Sequence, residues 1–105
     1  MAAKPGEVWL ADLGLAAKTR PVVILSRDDP QAPRALAIYV PLTTQYRGSR
    51  YEIELGRVRF LNEPSVANVQ GIGSIPVIRL QRRLGLLSTE IVARIKQAVR
   101  FALDL

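Results

Sequence analysis

The uninterrupted run Pro21-Val22-Val23-Ile24-Leu25-Ser26 constrains the fold more than any other segment. A β-branched stretch with no polar alternation suits a strand covered on both faces, since either face left in water would expose an apolar stripe. The surrounding segments supply companions for such a strand. In Glu7–Leu13, Val8, Leu10 and Asp12 alternate with Trp9, Ala11 and Leu13, and a short connection from Gly14 to Arg20 leads into the buried run. Asp28-Asp29-Pro30 with Pro33 marks a turn before a strand over Ala35–Leu42. Gln45–Arg50, with Gly48, reads as a loop. Tyr51–Leu55 alternates cleanly, placing Tyr51, Ile53 and Leu55 on one face and Glu52 and Glu54 on the other. Val58–Leu61 gives a brief pairing, and Ser65–Val69 a further strand that Gly71-Ile72-Gly73-Ser74 breaks. Ile75–Leu80 is expected as a last short strand.

The period changes at the end of the chain. From Ser88 onward Ile91, Ile95, Ala98 and Ala102 recur at helical spacing, and Val92, Val99 and Leu103 widen the stripe. Ser88 suits the N-cap, and Glu90 in the first turn complements the helix dipole. Phe101 falls on the polar side with Arg94, Gln97 and Asp104, as an interface contact or a core-edge residue. Many short strands followed by one amphipathic helix imply a curled antiparallel sheet with the helix packed on it. The 105 residues are expected to form one domain, 1–105, and 49% hydrophobic content is enough for an ordinary core.

Composition removes whole classes of chemistry. Cysteine and histidine are absent, so disulfides, thiol nucleophiles, imidazole-ligated metals and histidine-based nucleases are excluded. Glu52 and Glu54 could in principle share Mg²⁺, but no third ligand stands at a recognisable spacing, and no metal site is expected. The serines have no histidine to activate them and no Ser-x-x-Lys pattern. Gly71-Ile72-Gly73-Ser74 lacks the lysine of a phosphate-binding loop and opens no helix. No apolar run is long enough to span a bilayer and no leader with a cleavage site is present, so a cytoplasmic protein with no membrane partner is expected.

What remains is positive charge. Lys and Arg number 15 against 9 Asp and Glu, a net charge of +6, and most of the cations are arginines, whose planar fork suits phosphate. Three elements stand out. Lys18-Thr19-Arg20-Pro21 sets two cations just before the buried strand, where Pro21 biases Arg20 towards an extended conformation at the sheet rim. Val40-Pro41-Leu42-Thr43-Thr44-Gln45 brings hydroxyls and an amide to a strand end, suitable for phosphate or sugar oxygens. Arg47, Arg50, Arg57, Arg59, Arg79, Arg82 and Arg83, interleaved with Tyr46 and Tyr51, suit single strands whose bases stack on rings while guanidiniums follow the backbone.

The order of these elements resembles the MazF/PemK (Kid-like) family of type II toxin–antitoxin endoribonucleases. The matching pieces are Pro5–Leu13, Lys18–Ser26, Val40–Thr44, Ser65–Gln70, and Arg79-Leu80 through Leu86-Leu87-Ser88 into the helix. The resemblance implies an SH3-like barrel with helices, a homodimer, and sequence-selective, metal-independent cleavage of single-stranded RNA with no cofactor. It also implies a cognate antitoxin whose acidic, flexible tail covers the RNA groove. By the same resemblance Arg20 and Thr43 are expected to be catalytic; Lys18, Thr44, Gln45, Arg47, Gln70 and Ser74 are expected to contact RNA.

The sequence departs from the family pattern at defined places. The loop Gly14-Leu15-Ala16-Ala17 is short and carries no acid. Gln70 stands where many members have Asp or Glu, Gly71–Ser74 replaces an arginine-containing segment, and Asn68 stands where some members have an arginine. Glutamine cannot act as a general base. Two readings follow: a ribonuclease toxin centred on Arg20 and Thr43, or an RNA- or protein-binding module of the same fold with weak or no turnover.

Overall fold

The computed structural model describes residues 2–14 and 19–105. Within them the chain forms β1 (Glu7–Asp12), β2 (Thr19–Ile24), β3 (Leu36–Thr43), β4 (Glu52–Gly56), β5 (Ser65–Asn68), β6 (Gly73–Pro76), β7 (Leu80–Leu86) and α1 (Thr89–Leu103). Single 3-10 turns at Val69–Gly71 and Val77–Arg79 precede β6 and β7. The pairings are antiparallel and follow the path β4-β5-β3-β2-β1-β7. β3 is long enough to serve two partners on one edge: Leu36–Tyr39 pair with β6, and Leu42 and Thr43 with β5.

The buried run behaves as its composition demands. Val22, Val23 and Ile24 are fully buried. Val23 points into an apolar cluster with Val8, Val40, Leu42, Leu55 and Leu87, which Ile95 and Ala98 of α1 complete. Val22 and Ile24 point the other way, among Trp9, Ala11, Ala37, Ile75 and Leu80. Residues of one parity therefore face the helix and those of the other face a second core.

The sheet is curled but does not close into a full barrel: among the described residues β4 and β7, at the ends of the path, share no pairing. Register shifts in β1/β7 at Val8/Trp9 and Leu10/Ala11, and in β4/β5 at Glu54/Gly56, supply the bending. The helix packs on β4 and on the Val69–Gly71 turn. Its caps follow from sequence. Ser88 Oγ accepts the Ile91 N–H at 3.2 Å, and Asp104 closes the C-terminus in a left-handed conformation.

Two expectations about the strands change. Val58–Leu61 forms a turn, closed by Leu61 N–H donating to the Val58 carbonyl, and no strand. The expected strand Ile75–Leu80 is divided between β6, a 3-10 turn and the start of β7. Strand β7 lacks apolar alternation because it is a sheet edge: Gln81, Arg82 and Arg83 face solvent, and Leu80 alone is fully covered.

β7 is tied to β1 through Glu7, a buried carboxylate at the first position of β1. Its Oε1 accepts the Lys4 N–H at 2.9 Å and the Trp9 Nε1–H at 3.1 Å, and its Oε2 accepts Arg83 Nε–H at 2.8 Å. Burial acts to raise the carboxyl pKa, but the Lys4 N–H, then Arg83 and Trp9, outweigh it and hold Glu7 below the ordinary range. The folded chain thus takes up this proton less readily than the unfolded chain. Its contribution to stability is complete above the unfolded carboxylate pKa and is lost as pH falls through the folded value. Glu7→Gln is expected to cost about 1–2 kcal/mol at neutral pH and to flatten the acid limb of the stability profile, measured by urea unfolding across that range.

Candidate functional site

Three strand ends meet beside Thr43, the last residue of β3. β5 bridges them, pairing Val66 with Thr43 on one side and Asn68 with Glu52 on the other. The half-buried Thr43 opens onto a recess of about 480 Å³. The segment joining β3 to β4 contributes Gln45, Arg47, Ser49 and Tyr51; Glu52 opens β4; Asn68 ends β5, and Gln70 stands in the turn that follows. Asn68 Oδ1 accepts the Gln70 N–H at 3.2 Å and so caps that turn, while Thr43 Oγ1 accepts the Gln45 N–H at 3.2 Å. Gly71 lets the turn lie directly on β3: a Cβ there would stand 2.6 Å from Pro41 Cγ.

The segment between β3 and β4 is folded around one carboxylate. Glu52 Oε1 accepts the Ser49 N–H at 3.0 Å and the Ser49 Oγ–H at 2.8 Å, and Oε2 accepts the Arg47 N–H at 3.1 Å. The Ser49 backbone N–H first, then its hydroxyl and the Arg47 N–H, hold the Glu52 carboxyl below its ordinary range. A carboxylate stabilised in its charged form by three donors is a weak proton acceptor. Glu52 therefore does not replace the acid that Gln70 lacks. Nor is it free for a cation, and among the described residues no three carboxylates gather as a ligand set.

Of the residues singled out in the sequence, Thr43, Gln45, Arg47 and Gln70 share this recess. Arg20 is exposed near the start of β2. The register that pairs Val22 with Pro41, continued two residues along both strands, brings Arg20 level with Thr43 and onto the same face. Thr44 follows Thr43 and is exposed. Ser74 does not join them. The chain enters β6 at Gly73, against the opposite half of β3, so Ser74 pairs with Ile38 and lines a different hollow with Leu25, Arg34 and Leu36. Lys18 lies outside the described residues.

Two members of the arginine series are engaged elsewhere. Arg83 is held by Glu7, and the Arg50 guanidinium lies 3.8 Å from the centre of the Phe101 ring. Phe101 also meets Tyr51, ring centres 5.2 Å apart, and so joins α1 to the segment that borders the recess. Arg79 stands beside Gly14, where β1 ends opposite both Arg20 and Leu80. Of the other recess residues, sequence reasoning passed over Ser49, and it weighed Tyr51 as a stacking ring, Glu52 as a metal ligand and Asn68 as a departure from the family pattern, without joining them to this recess. Ser49-Arg50-Tyr51-Glu52 has the spacing of a capping box, the one signal that could have marked the carboxylate as an organiser of its own turn.

Comparison with known proteins follows the same outline. A family model for the PemK-like, MazF-like toxin of type II toxin–antitoxin systems matches residues 4–103. A Mycobacterium tuberculosis protein named endoribonuclease MazF3 is 34% identical over 88 residues, covering 84% of this chain and 85% of that protein. The solved structure of the Mycobacterium tuberculosis toxin MazF-mt6 superposes with a TM-score of 0.82 at 32% identity, covering 94% of this chain and 97% of that one. An endoribonuclease in complex with its cognate antitoxin, from a mycobacterial species, superposes at 0.85 with 26% identity, covering 99% and 97%.

The contact between Gly71 and Pro41 can be tested alone. Gly71→Ala is expected to lift the turn from β3 and lower unfolding stability by about 1–3 kcal/mol, the usual cost of overpacking, as measured by urea titration.

Proposed function

The chain belongs to the PemK-like, MazF-like toxins of type II toxin–antitoxin systems, and on that premise we propose that it is an endoribonuclease cutting single-stranded RNA at selected sequences without a metal ion. The observation that carries the reading is the placement of Arg20 and Thr43 at neighbouring strand ends, beside a recess rich in hydrogen-bonding side chains. In the proposed reaction the RNA 2′-oxygen attacks the adjacent phosphorus as the bond to the 5′-oxygen breaks. A 2′,3′-cyclic phosphate and a 5′-hydroxyl result. Arg20 supplies fixed positive charge to the developing phosphorane oxygens, and Thr43 holds the phosphate or the 2′-hydroxyl in line.

The proton balance follows from the side chains present. With no histidine in the chain, glutamine at position 70, and the Glu52 carboxylate committed to its loop, the 2′-hydroxyl proton passes to solvent hydroxide. Solvent returns a proton to the departing 5′-oxygen. Cleavage is then slow at neutral pH and accelerates in base. Net charge +6 supports an acidic antitoxin as partner, and we place the working form in the cytoplasm as a homodimer of single-domain chains. Gln70 favours a second reading, an RNA binder without turnover, which differs in leaving no new RNA ends.

End mapping on unstructured RNA in the presence of a chelator separates the two. Cleavage to cyclic-phosphate ends is expected, with the rate rising about tenfold per pH unit under hydroxide control. Arg20→Ala is expected to lower it by about 10²–10³-fold, the scale of removing one transition-state charge partner. RNA left intact by antitoxin-free protein overturns the nuclease reading, and salt-sensitive binding in that case establishes the second.

A further inference from the structure

A negative charge lies in the recess proposed for a polyanion, and Glu52 is its one acid. Among the described residues the charge is answered locally, by its own loop: the Ser49 N–H and hydroxyl on one oxygen, the Arg47 N–H on the other. The carboxylate grips the chain at two points on either side of Gly48, where the backbone reverses at φ +71°. Tyr51 N–H donates to Ser49 Oγ at 3.2 Å and Glu52 N–H to the Ser49 carbonyl at 3.3 Å, closing the turn from within. Beyond the turn, Arg50 and Tyr51 rest on Phe101 of α1. Glu52 itself is fixed by its pairing with Asn68. The segment is anchored at both ends.

Its outward groups are not used up. Within the described chain, Gln45, Arg47 and Gln70 make their hydrogen bonds through backbone N–H, which leaves two side-chain amides and a guanidinium at the recess. Side-chain amides and guanidiniums are the groups that read the edges of unstacked bases, and such reading requires a rigid frame behind them. The recess, about 480 Å³, is within the range of about 300–1,000 Å³ that encloses a small-molecule-sized group, room for one nucleotide.

We propose that Glu52 is a positioning residue for RNA selection: its carboxylate fixes the 45–51 segment so that Gln45 and Arg47 meet one unstacked nucleotide in a set orientation. The inference rests on the reading of the chain as an RNA-cleaving protein. It differs in sign from simple electrostatics. If Glu52 acted on RNA only through its charge, removing that charge would tighten binding; if it holds the loop, removing it weakens binding.

The test compares wild type, Glu52→Gln and Glu54→Gln on a random-sequence single-stranded RNA pool, with end mapping and with kcat and KM on the best-cut oligonucleotide. Glu54 is an exposed acid two residues along the same strand, which makes it a matched charge control. Glu52→Gln keeps the shape but loses an acceptor, and is expected to raise KM about fivefold, to leave kcat within about twofold, and to broaden the set of cut sites. Glu54→Gln is expected to leave KM within about twofold and the cut sites unchanged.

Wild-type protein that leaves RNA intact defeats the functional reading itself, whatever the variants do. Wild type that cuts, with Glu52→Gln matching Glu54→Gln in KM and cut sites, defeats only the role of Glu52. A loss of kcat at unchanged KM makes Glu52 a chemical participant and also overturns the proposal. Should Glu52→Gln melt early, Ser49→Ala carries the test from the exposed loop. It removes the hydroxyl that donates to Glu52 and accepts from the Tyr51 N–H, and leaves the carboxylate, with a rise in KM and broadened sites expected and an unchanged pattern decisive against.

Discussion

The structure depends on covering β2 from both sides. Val22, Val23 and Ile24 have no water-tolerant face, so the chain must build an apolar layer above and another below the same strand. The helix supplies half of one layer through Ile95 and Ala98; Trp9, Ile75 and Leu80 supply the other. Once β2 is central, β1 and β3 are its neighbours. The polar residues at the first positions of β2 are then brought to the sheet end where β3 stops. The position of Arg20 is thus a by-product of hydrophobic burial that begins two residues away.

Much of this was legible in the residues because it obeys period and capping rules. The two-faced strand, the clean alternation around Ile53 and the helix with its Ser88 cap each carry a local signature that tertiary structure did not need to override. Strand β7 carries none. As an edge it exposes Gln81, Arg82 and Arg83, and its place in the sheet comes from pairing with β1, to which Glu7 also ties Arg83, contacts far apart in sequence that no local pattern reveals. The division of Gly71–Ser74 between a turn and β6 was equally hidden, since it depends on the fit of Gly71 against Pro41.

The site was partly legible for the same reason. Thr43, Gln45, Arg47 and Gln70 lie at strand ends or in turns that the sequence marks, and they gather where β5 joins β3 to β4. Ser74 was grouped with them because Gly71–Ser74 stands where the family pattern has an arginine-containing segment, and β6 carried it to the other half of β3. Glu52 was weighed only as half of a metal-binding pair, because alternation assigns it with Glu54 to a solvated face. Its use as an acceptor for the preceding loop follows from the turn geometry at Gly48, where the Arg47 and Ser49 N–H groups converge on the carboxylate. The arginines likewise divide by context: one is clamped by a buried acid, one stacks on a ring, and one stands at the cleft.

The order of elements along the chain has a consequence for synthesis. The helix-facing side of the sheet is lined by residues from β1 to β5, yet the helix that covers it follows all the strands, and the ring on which Arg50 rests belongs to its final turn. During translation that face is bare and the rim of the cleft has no backing. Covering the apolar face and backing the rim of the cleft are therefore a single event, the docking of α1.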